Sequence, residues 1–396
     1  MKWVQLLRES RRQAFVDLAR KAVTLQPSLL STQEALGSLL LAACEYDEAI
    51  QVLSRAVVTL PTAPTLHLML ADAYFQKGES ALAWSALQRS PISPGECSRL
   101  SIERLTLGLR ILECLNAFDD AAKIATNLLQ FDPVNEHALR YLANYSRSKG
   151  NLESVLDICQ AALAHQTGNT SAYYELALTF ALMGRRDEAQ EMMNLNQFIN
   201  VLDLENPCSY RDAFAFESAL AAEIASDETL KSDPPGTSTQ GGFHTDLYLP
   251  HSEEQTSLCD LICLIQSQVE CFAAELKGPP ESPFVKRRPE QARLNAWAVV
   301  HPSHGRQTSH IHPQGWLSGV YYVSAPKGSI QGARPGSLVL GPVDEELNFD
   351  PPWGVREINP APGRLVLFPS YIPHATIPSG SPEPRICVAF DVIPWV

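Results

Sequence analysis

An all-helical repeat array followed by a small β-barrel or jelly roll is the fold class the sequence predicts, and three observations predict it. Alanine-type positions recur at near-constant spacing through the first half of the chain. Short strand-like segments separated by Pro, Gly and Ser turns fill the C-terminal quarter. Within that second region His310 and His312 are followed by His374, 62 residues after His312, and then by Arg385.

The repeat is seen by aligning Phe15, Ala49, Ala83, Ala121, Val155 and Ala189, which are separated by 34, 34, 38, 34 and 34 residues. Around each position lies a helix-turn-helix pattern, such as Leu36, Gly37, Leu40, Ala49, Leu53, Ala56 and Pro61. Small residues suit the close crossing of paired helices, and larger apolar ones fill the space between neighbouring pairs. Pro27, Pro61 and Pro133 mark where second helices stop. The turns Glu45-Tyr46-Asp47, Lys77-Gly78-Glu79 and Met183-Gly184-Arg185 separate the two helices of a unit. This period and these positions resemble the tetratricopeptide repeat. The longer step between Ala83 and Ala121 falls on a lengthened loop, Ser90–Gly95.

The pattern fades between Asn194 and Cys208, which divides the chain into a repeat domain at 1–200 and a second domain at 201–396, with its barrel core at about 290–396. Asp212–Ala225 and Gln255–Leu276 have apolar residues at spacings of three and four, so they are expected as helices packed outside the barrel. Lys231–Gly242 and Gly278–Pro289 read as loops from their Pro and Gly content. The expected strands are Ala292–His301, Trp316–Val323, Ser337–Leu340, Arg364–Phe368 and Arg385–Val392.

Composition narrows the function. A hydrophobic content of 45% with 19% charged residues is ordinary for a globular chain able to bury a sizeable core. The net charge of −13 argues against a general phosphate-backbone binder, so no nucleic-acid partner is expected. Nine scattered cysteines form no CxxC pair and no disulfide framework, which points to reducing conditions and a cytoplasmic location. Cys259 and Cys263 share a helix face but lack a second pair, and they read as buried packing residues. Met1–Ala14 is too charged for a signal peptide, and no run of 18 apolar residues occurs, so no membrane contact is expected. The dinucleotide and P-loop fingerprints, HExxH and GxSxG are absent from the sequence.

The histidines carry the chemistry. Imidazoles at i and i+2 of a strand point to one face, about 7 Å apart at Cα, and can converge on an ion with bonds of about 2.1 Å. A third from a later strand closes one side of the ion, and the geometry suggests non-haem iron. Neutral imidazole also suits copper, nickel and zinc, so ligand type alone does not choose the metal. Tyr321 and Tyr322 alternate across the following strand, and Ser318 shares the face of Tyr322. Asn295 and Trp297 form another same-face pair, with Trp297 expected mainly in core packing. His244, His301 and His304 are not assigned a role by their spacing.

The ordered blocks Gln307–Val323, Pro362–His374 and Pro384–Asp391, with Gly241–Leu247 and Asn295–Trp297 upstream, resemble the 2-oxoglutarate/Fe(II) oxygenase family often fused behind tetratricopeptide repeats. The resemblance covers roughly residues 206–396 and implies a double-stranded β-helix holding Fe(II) through His310 and His374. Most of the wider superfamily has Asp or Glu where this chain has His312, so the exchange removes one negative charge from the ligand set. A three-histidine face, and a two-histidine face with His312 turned away and water in its place, both stay open. Arg385 lies where the superfamily anchors the distal carboxylate of 2-oxoglutarate, a task suited to a guanidinium fork. Relatives often carry serine where this chain has Cys387. Tyr322, Ser318 and Asn295 are further candidates for co-substrate contacts.

The resulting expectation is an oxygenase using Fe(II), 2-oxoglutarate and dioxygen on a peptide, protein or amino-acid-derived substrate recruited by the repeat groove. A free small-molecule substrate is the next reading. Two alternatives stand beside it: a repeat scaffold with a degenerate metal-binding barrel, and a three-histidine iron dioxygenase that does not use 2-oxoglutarate.

Overall fold

Helix-forming segments with small residues at their crossings produce the first part of the chain. The computed structural model describes residues 2–91, 98–205, 207, 209–233, 238–248, 256–278, 282–326, 335–344, 347 and 349–395. A leading helix α1 (Lys2–Leu25) precedes the hairpins α2 (Leu30–Ala42) with α3 (Tyr46–Thr59) and α4 (Pro64–Gln76) with α5 (Ser80–Gln88). The series continues with α6 (Arg99–Cys114), α7 (Phe118–Phe131), α8 (Glu136–Ser148), α9 (Leu152–His165), α10 (Thr170–Leu182) and α11 (Arg186–Met193).

The repeat register holds at Ala49, Ala83, Ala121, Val155 and Ala189, which are all fully buried. Phe15 breaks it, being 60% exposed while Val16 and Ala19 are buried, because one long helix rather than a hairpin occupies this position. A Cβ at Gly37 would lie 2.9 Å from Leu53 Cδ2, so a side chain there would separate the helices. The turns repeat as well: Cys44, Gly78, Asn116, Gly150 and Gly184 all have positive φ. Each is followed by an amide that reaches back across the helix end, as Glu79 N does to Tyr74 O at 2.9 Å and Arg185 N to Phe180 O at 2.8 Å. The expected lengthened loop at Ser90–Gly95 lies mostly outside the described residues.

Contacts gather into two compact units, Met1–Asn151 and Leu152–Val396. The helical pattern runs to Met193, while α10 and α11 share a core with the sheets. That core joins Tyr173, Ala177, Leu178, Ala189 and Met193 to sheet residues such as Leu317, Tyr371 and Phe390.

The C-terminal unit adds α12 (Leu195–Phe198), α13 (Ala213–Ala225), α14 (Ser257–Glu275) and α15 (Pro283–Lys286). Its strands are β1 (Asn200–Asp203), β2 (Lys231–Ser232), β3 (Thr239–Gln240), β4 (Phe243–His244), β5 (Ala292–His301) and β6 (Arg306–Gln307). They continue as β7 (Leu317–Ser324), β8 (Leu338–Leu340), β9 (Arg356–Ile358), β10 (Arg364–Pro369), β11 (His374–Thr376) and β12 (Arg385–Pro394). The larger sheet runs β1-β10-β7-β12-β5-β4-β2, a smaller one β11-β8-β9, and β3 pairs with β6, all antiparallel. Residues of both larger sheets line one cleft, so the sheets face each other as a jelly roll does.

Short strands at both ends of Lys231–Gly242, and α15 within Gly278–Pro289, replace parts of the expected loops. Each is held by an adjacent element, β4 on β2 and the ring of Phe284 on Trp316, rather than by its own composition. α14 is long and apolar enough to cross a membrane by length and composition, but here it buries Leu258, Leu261, Ile262, Ile265 and Val269 in the core. Cys263 is exposed on its other side and Cys259 is half-buried, so this pair is not core packing.

Candidate metal centre

His310 and His312 do not lie in a regular strand. Pro313 lacks an amide donor, and the chain turns through Gln314 and Gly315 straight afterwards. The segment is held extended by single contacts instead. His310 N donates to His374 O at 3.1 Å, His374 N to His310 O at 2.9 Å, and His312 N to Ser370 O at 3.0 Å. This bridge joins His310 to β11 while His312 is tied to Ser370 just after β10, and the predicted convergence is achieved by single contacts rather than by a ladder.

One nitrogen from each of His310, His312 and His374 lies within 4.8 Å of the others. The opposite ring edge of each is anchored. Nδ1 of His310 donates to Thr308 O at 2.7 Å, that of His374 to Ile372 O at 3.2 Å, and that of His312 to Asp391 Oδ2 at 2.8 Å. A proton fixed on every Nδ1 leaves the Nε2 lone pairs directed inward, with His310 and His312 Nε2 3.3 Å apart. Burial, reinforced by the neighbouring imidazoles, pushes His310 down to about 4 and His374 well below the ordinary histidine range. Lone pairs from three rings aimed at one point repel one another unless a cation stands between them. Nitrogens bound at about 2.1 Å and at right angles are about 3 Å apart, so the donor set fits a divalent transition metal.

The carboxylate absent from position 312 lies one step behind it. Asp391 accepts from His312 and, through Oδ1, from Ser318 Oγ at 2.6 Å, and Ser318 in turn meets Ser370 Oγ at 2.8 Å. A carboxylate behind a ligating histidine fixes its tautomer and raises its basicity. Trp297 stacks on His312 at 5.7 Å between centroids, and His244 stacks on the far face of Trp297 at 5.8 Å.

The adjoining cleft encloses about 440 Å³, its open mouth included, and is lined by His312, His374, Arg385, Tyr322, Ser318 and Trp297 among others. Tyr322 and Ser318 share the cleft face as expected. Tyr321 is buried on the opposite side, near Glu217 of α13. Asn295 is not among the lining residues; Trp297, two positions along, takes that place. Burial raises the Tyr322 phenol well above its ordinary value, so it stays neutral.

Arg385 is 2% exposed. Its Nη1 donates to Gly336 O at 2.7 Å and its Nη2 to His301 Nδ1 at 2.6 Å, while Nε has no partner. Among the described residues no carboxylate lies within ion-pair distance of it. Asp391 and His301 were not identified from sequence. Both reach the cleft residues through cross-strand register, Asp391 opposite Ser318 and His301 opposite Arg385, which no local spacing reveals.

Residues 295–391 match the family described as "Putative 2OG-Fe(II) oxygenase", and residues 30–73 match a tetratricopeptide repeat. A Pseudomonas putida prolyl-4-hydroxylase structure is 15% identical over 57% of this chain and 100% of its own, with a TM-score of 0.36. YrrB, described as a TPR protein with an unusual peptide-binding site, is 17% identical over 44% of this chain and 89% of its own, with a TM-score of 0.37. MamA is 18% identical over 39% of this chain and 88% of its own, with a TM-score of 0.34. None of the curated proteins compared matches the chain. The chain thus matches a tetratricopeptide repeat over residues 30–73 and the family described as "Putative 2OG-Fe(II) oxygenase" over residues 295–391.

Proposed function

We propose that this protein is an Fe(II)- and 2-oxoglutarate-dependent oxygenase that oxidises a peptide, protein or amino-acid-derived substrate brought by its helical repeats. The observation that carries the reading is a buried guanidinium, Arg385, with no carboxylate partner among the described residues, in the same cleft as the inward-facing histidine nitrogens. A buried cation of this kind favours an anionic ligand strongly. His310, His312 and His374 would hold the metal, and Arg385 would hold the distal carboxylate of the co-substrate. With 2-oxoglutarate and dioxygen, Fe(II) supplies oxidation of a substrate C–H bond coupled to decarboxylation of the co-substrate to succinate.

The residues of the chain do the rest. Asp391 keeps the His312 proton on Nδ1, so Nε2 remains a donor to the metal. Tyr322, neutral and buried, offers a hydroxyl beside the arginine without adding charge. Trp297 and Phe368 give the cleft apolar walls that exclude water from the reacting side. The repeats support a peptide or protein substrate, since helical-repeat surfaces commonly bind extended peptides.

The test is succinate release from 2-oxoglutarate by the full chain under air, with Fe(II) and a panel of candidate peptides. Turnover is expected to vanish in His374→Ala and to fall at least tenfold in Arg385→Ala, as for loss of a charged anchor. Substrate oxidation that ignores added 2-oxoglutarate and survives Arg385→Ala would instead establish a three-histidine dioxygenase. Absence of metal and 2-oxoglutarate binding would leave the scaffold reading.

A further inference from the structure

We propose that His301 is a positioning residue that holds Arg385 while leaving its charge uncompensated, and so makes the cleft select a dicarboxylate over a monocarboxylate. This rests on the oxygenase reading and adds a residue and a selectivity to it. His301 and Arg385 face each other across β5 and β12, and both are buried, at 1% and 2% exposure.

Among the described residues the guanidinium has two partners, both neutral, the Gly336 carbonyl and the His301 ring. Because Arg385 donates to Nδ1, that atom carries the lone pair and the ring proton sits on Nε2. Burial, and then the arginine itself, lower His301 to about 3, so the ring accepts without becoming a second cation. Its orientation is fixed from the other edge. A Cβ at Gly242 would lie 2.7 Å from His301 Cδ2, and one at Gly305 2.9 Å from it, so these glycines pack directly against the ring.

An aspartate at 301 could also hold the arginine, with stronger hydrogen bonds. It would cancel the positive charge and remove the reason for an anion to enter. Histidine separates the two effects, aiming the fork while keeping its charge for the ligand. The open Nε of Arg385 and the remaining Nη protons are then the donors left for a carboxylate.

Binding to the metal-loaded full chain would be measured anaerobically by calorimetry with 2-oxoglutarate and with 2-oxobutyrate, which has the same oxo-acid head but no distal carboxylate. The wild type is expected to favour 2-oxoglutarate. His301→Ala should weaken 2-oxoglutarate about tenfold, the scale of one charged hydrogen bond, with 2-oxobutyrate unchanged. His301→Asn, whose amide oxygen can replace Nδ1, should stay within about threefold of wild type, whereas His301→Asp should lose more than tenfold despite pairing with the arginine. The 2-oxobutyrate arm and a melting curve report whether each variant is folded. Wild-type affinity in His301→Asp, or equal losses for both ligands, would overturn the proposal. Failure of the wild type to bind either acid would overturn the oxygenase reading itself, and this proposal with it.

Discussion

At the residue scale the unusual feature is where the negative charge sits. His312 replaces the expected carboxylate, and Asp391, 2.8 Å behind it, restores a charge without touching the metal position. Such a partner orients the ligand and strengthens it as a donor, and its loss commonly reduces metal affinity by about 10- to 100-fold. Asp391→Asn should therefore bind Fe(II) or Co(II) at least tenfold more weakly by calorimetry, with the fold retained because the amide still bridges Ser318 and His312. Unchanged affinity would mean that Asp391 is only a packing partner. The convergence of the three histidines was legible from the same-face spacing of His310 and His312 together with the family resemblance, which also pointed to His374 and Arg385. Asp391 had no role assigned beyond closing the block Pro384–Asp391, since its partners come from β7 and the His310–His312 segment, far away in sequence.

At the element scale, β7 leaves little room for added atoms beside the site. It runs between β10 and β12, and Gly319 pairs with Leu367 on one side and Phe390 on the other. A Cβ there would lie 2.3 Å from Phe390 Cζ and 2.8 Å from Val366 O, one of them backbone that cannot move alone. Gly319→Ala is expected to destabilise the C-terminal unit by about 1–3 kcal/mol, measured by urea denaturation, by forcing β7 away from its neighbours. Retained stability would show that Phe390 can rotate aside. Ser318, next to Gly319, carries the hydrogen bond to Asp391, so metal affinity should fall with it. The five long or apolar strands were readable from their runs of β-formers, within one or two residues at each end. The two-residue strands β2, β3, β4 and β6 were not, because such short pairings are created by their neighbours and leave no periodicity.

At the scale of the whole molecule, acid lability and domain limits both follow from what the C-terminal unit buries. His301 and His310 have folded values of about 3 and about 4, against about 6.5 when exposed. Between those values the unfolded chain binds more protons, so stability falls as the pH drops below about 6.5. At pH 5 each of the two should cost about 2 kcal/mol in the metal-free protein, seen as a lower urea midpoint than at pH 7. A midpoint independent of pH would mean that the rings reach solvent. The division of the chain is the larger question. The repeat pattern in the sequence ends near residue 200, and element type alone would cut there, yet the packing unit begins at Leu152. Thr170 Oγ1 donates to Gly315 O at 3.1 Å, just past the His310–His312 segment. Tyr173 meets Tyr371 edge-on at 4.6 Å, and the Tyr371 hydroxyl donates to Met192 O at 3.2 Å, three residues before His374. Helices α10 and α11 thus brace both chain segments that present the metal-facing nitrogens. A fragment of residues 201–396 would expose this face and lose core residues whose removal costs about 2–5 kcal/mol each. A fragment of residues 152–396 keeps them all. The shorter fragment is expected to be insoluble or to lack cooperative melting, and the longer one to melt cooperatively and bind metal as the full chain does. If residues 201–396 alone fold and bind metal with full affinity, the last repeat helices are appended to the barrel rather than part of it.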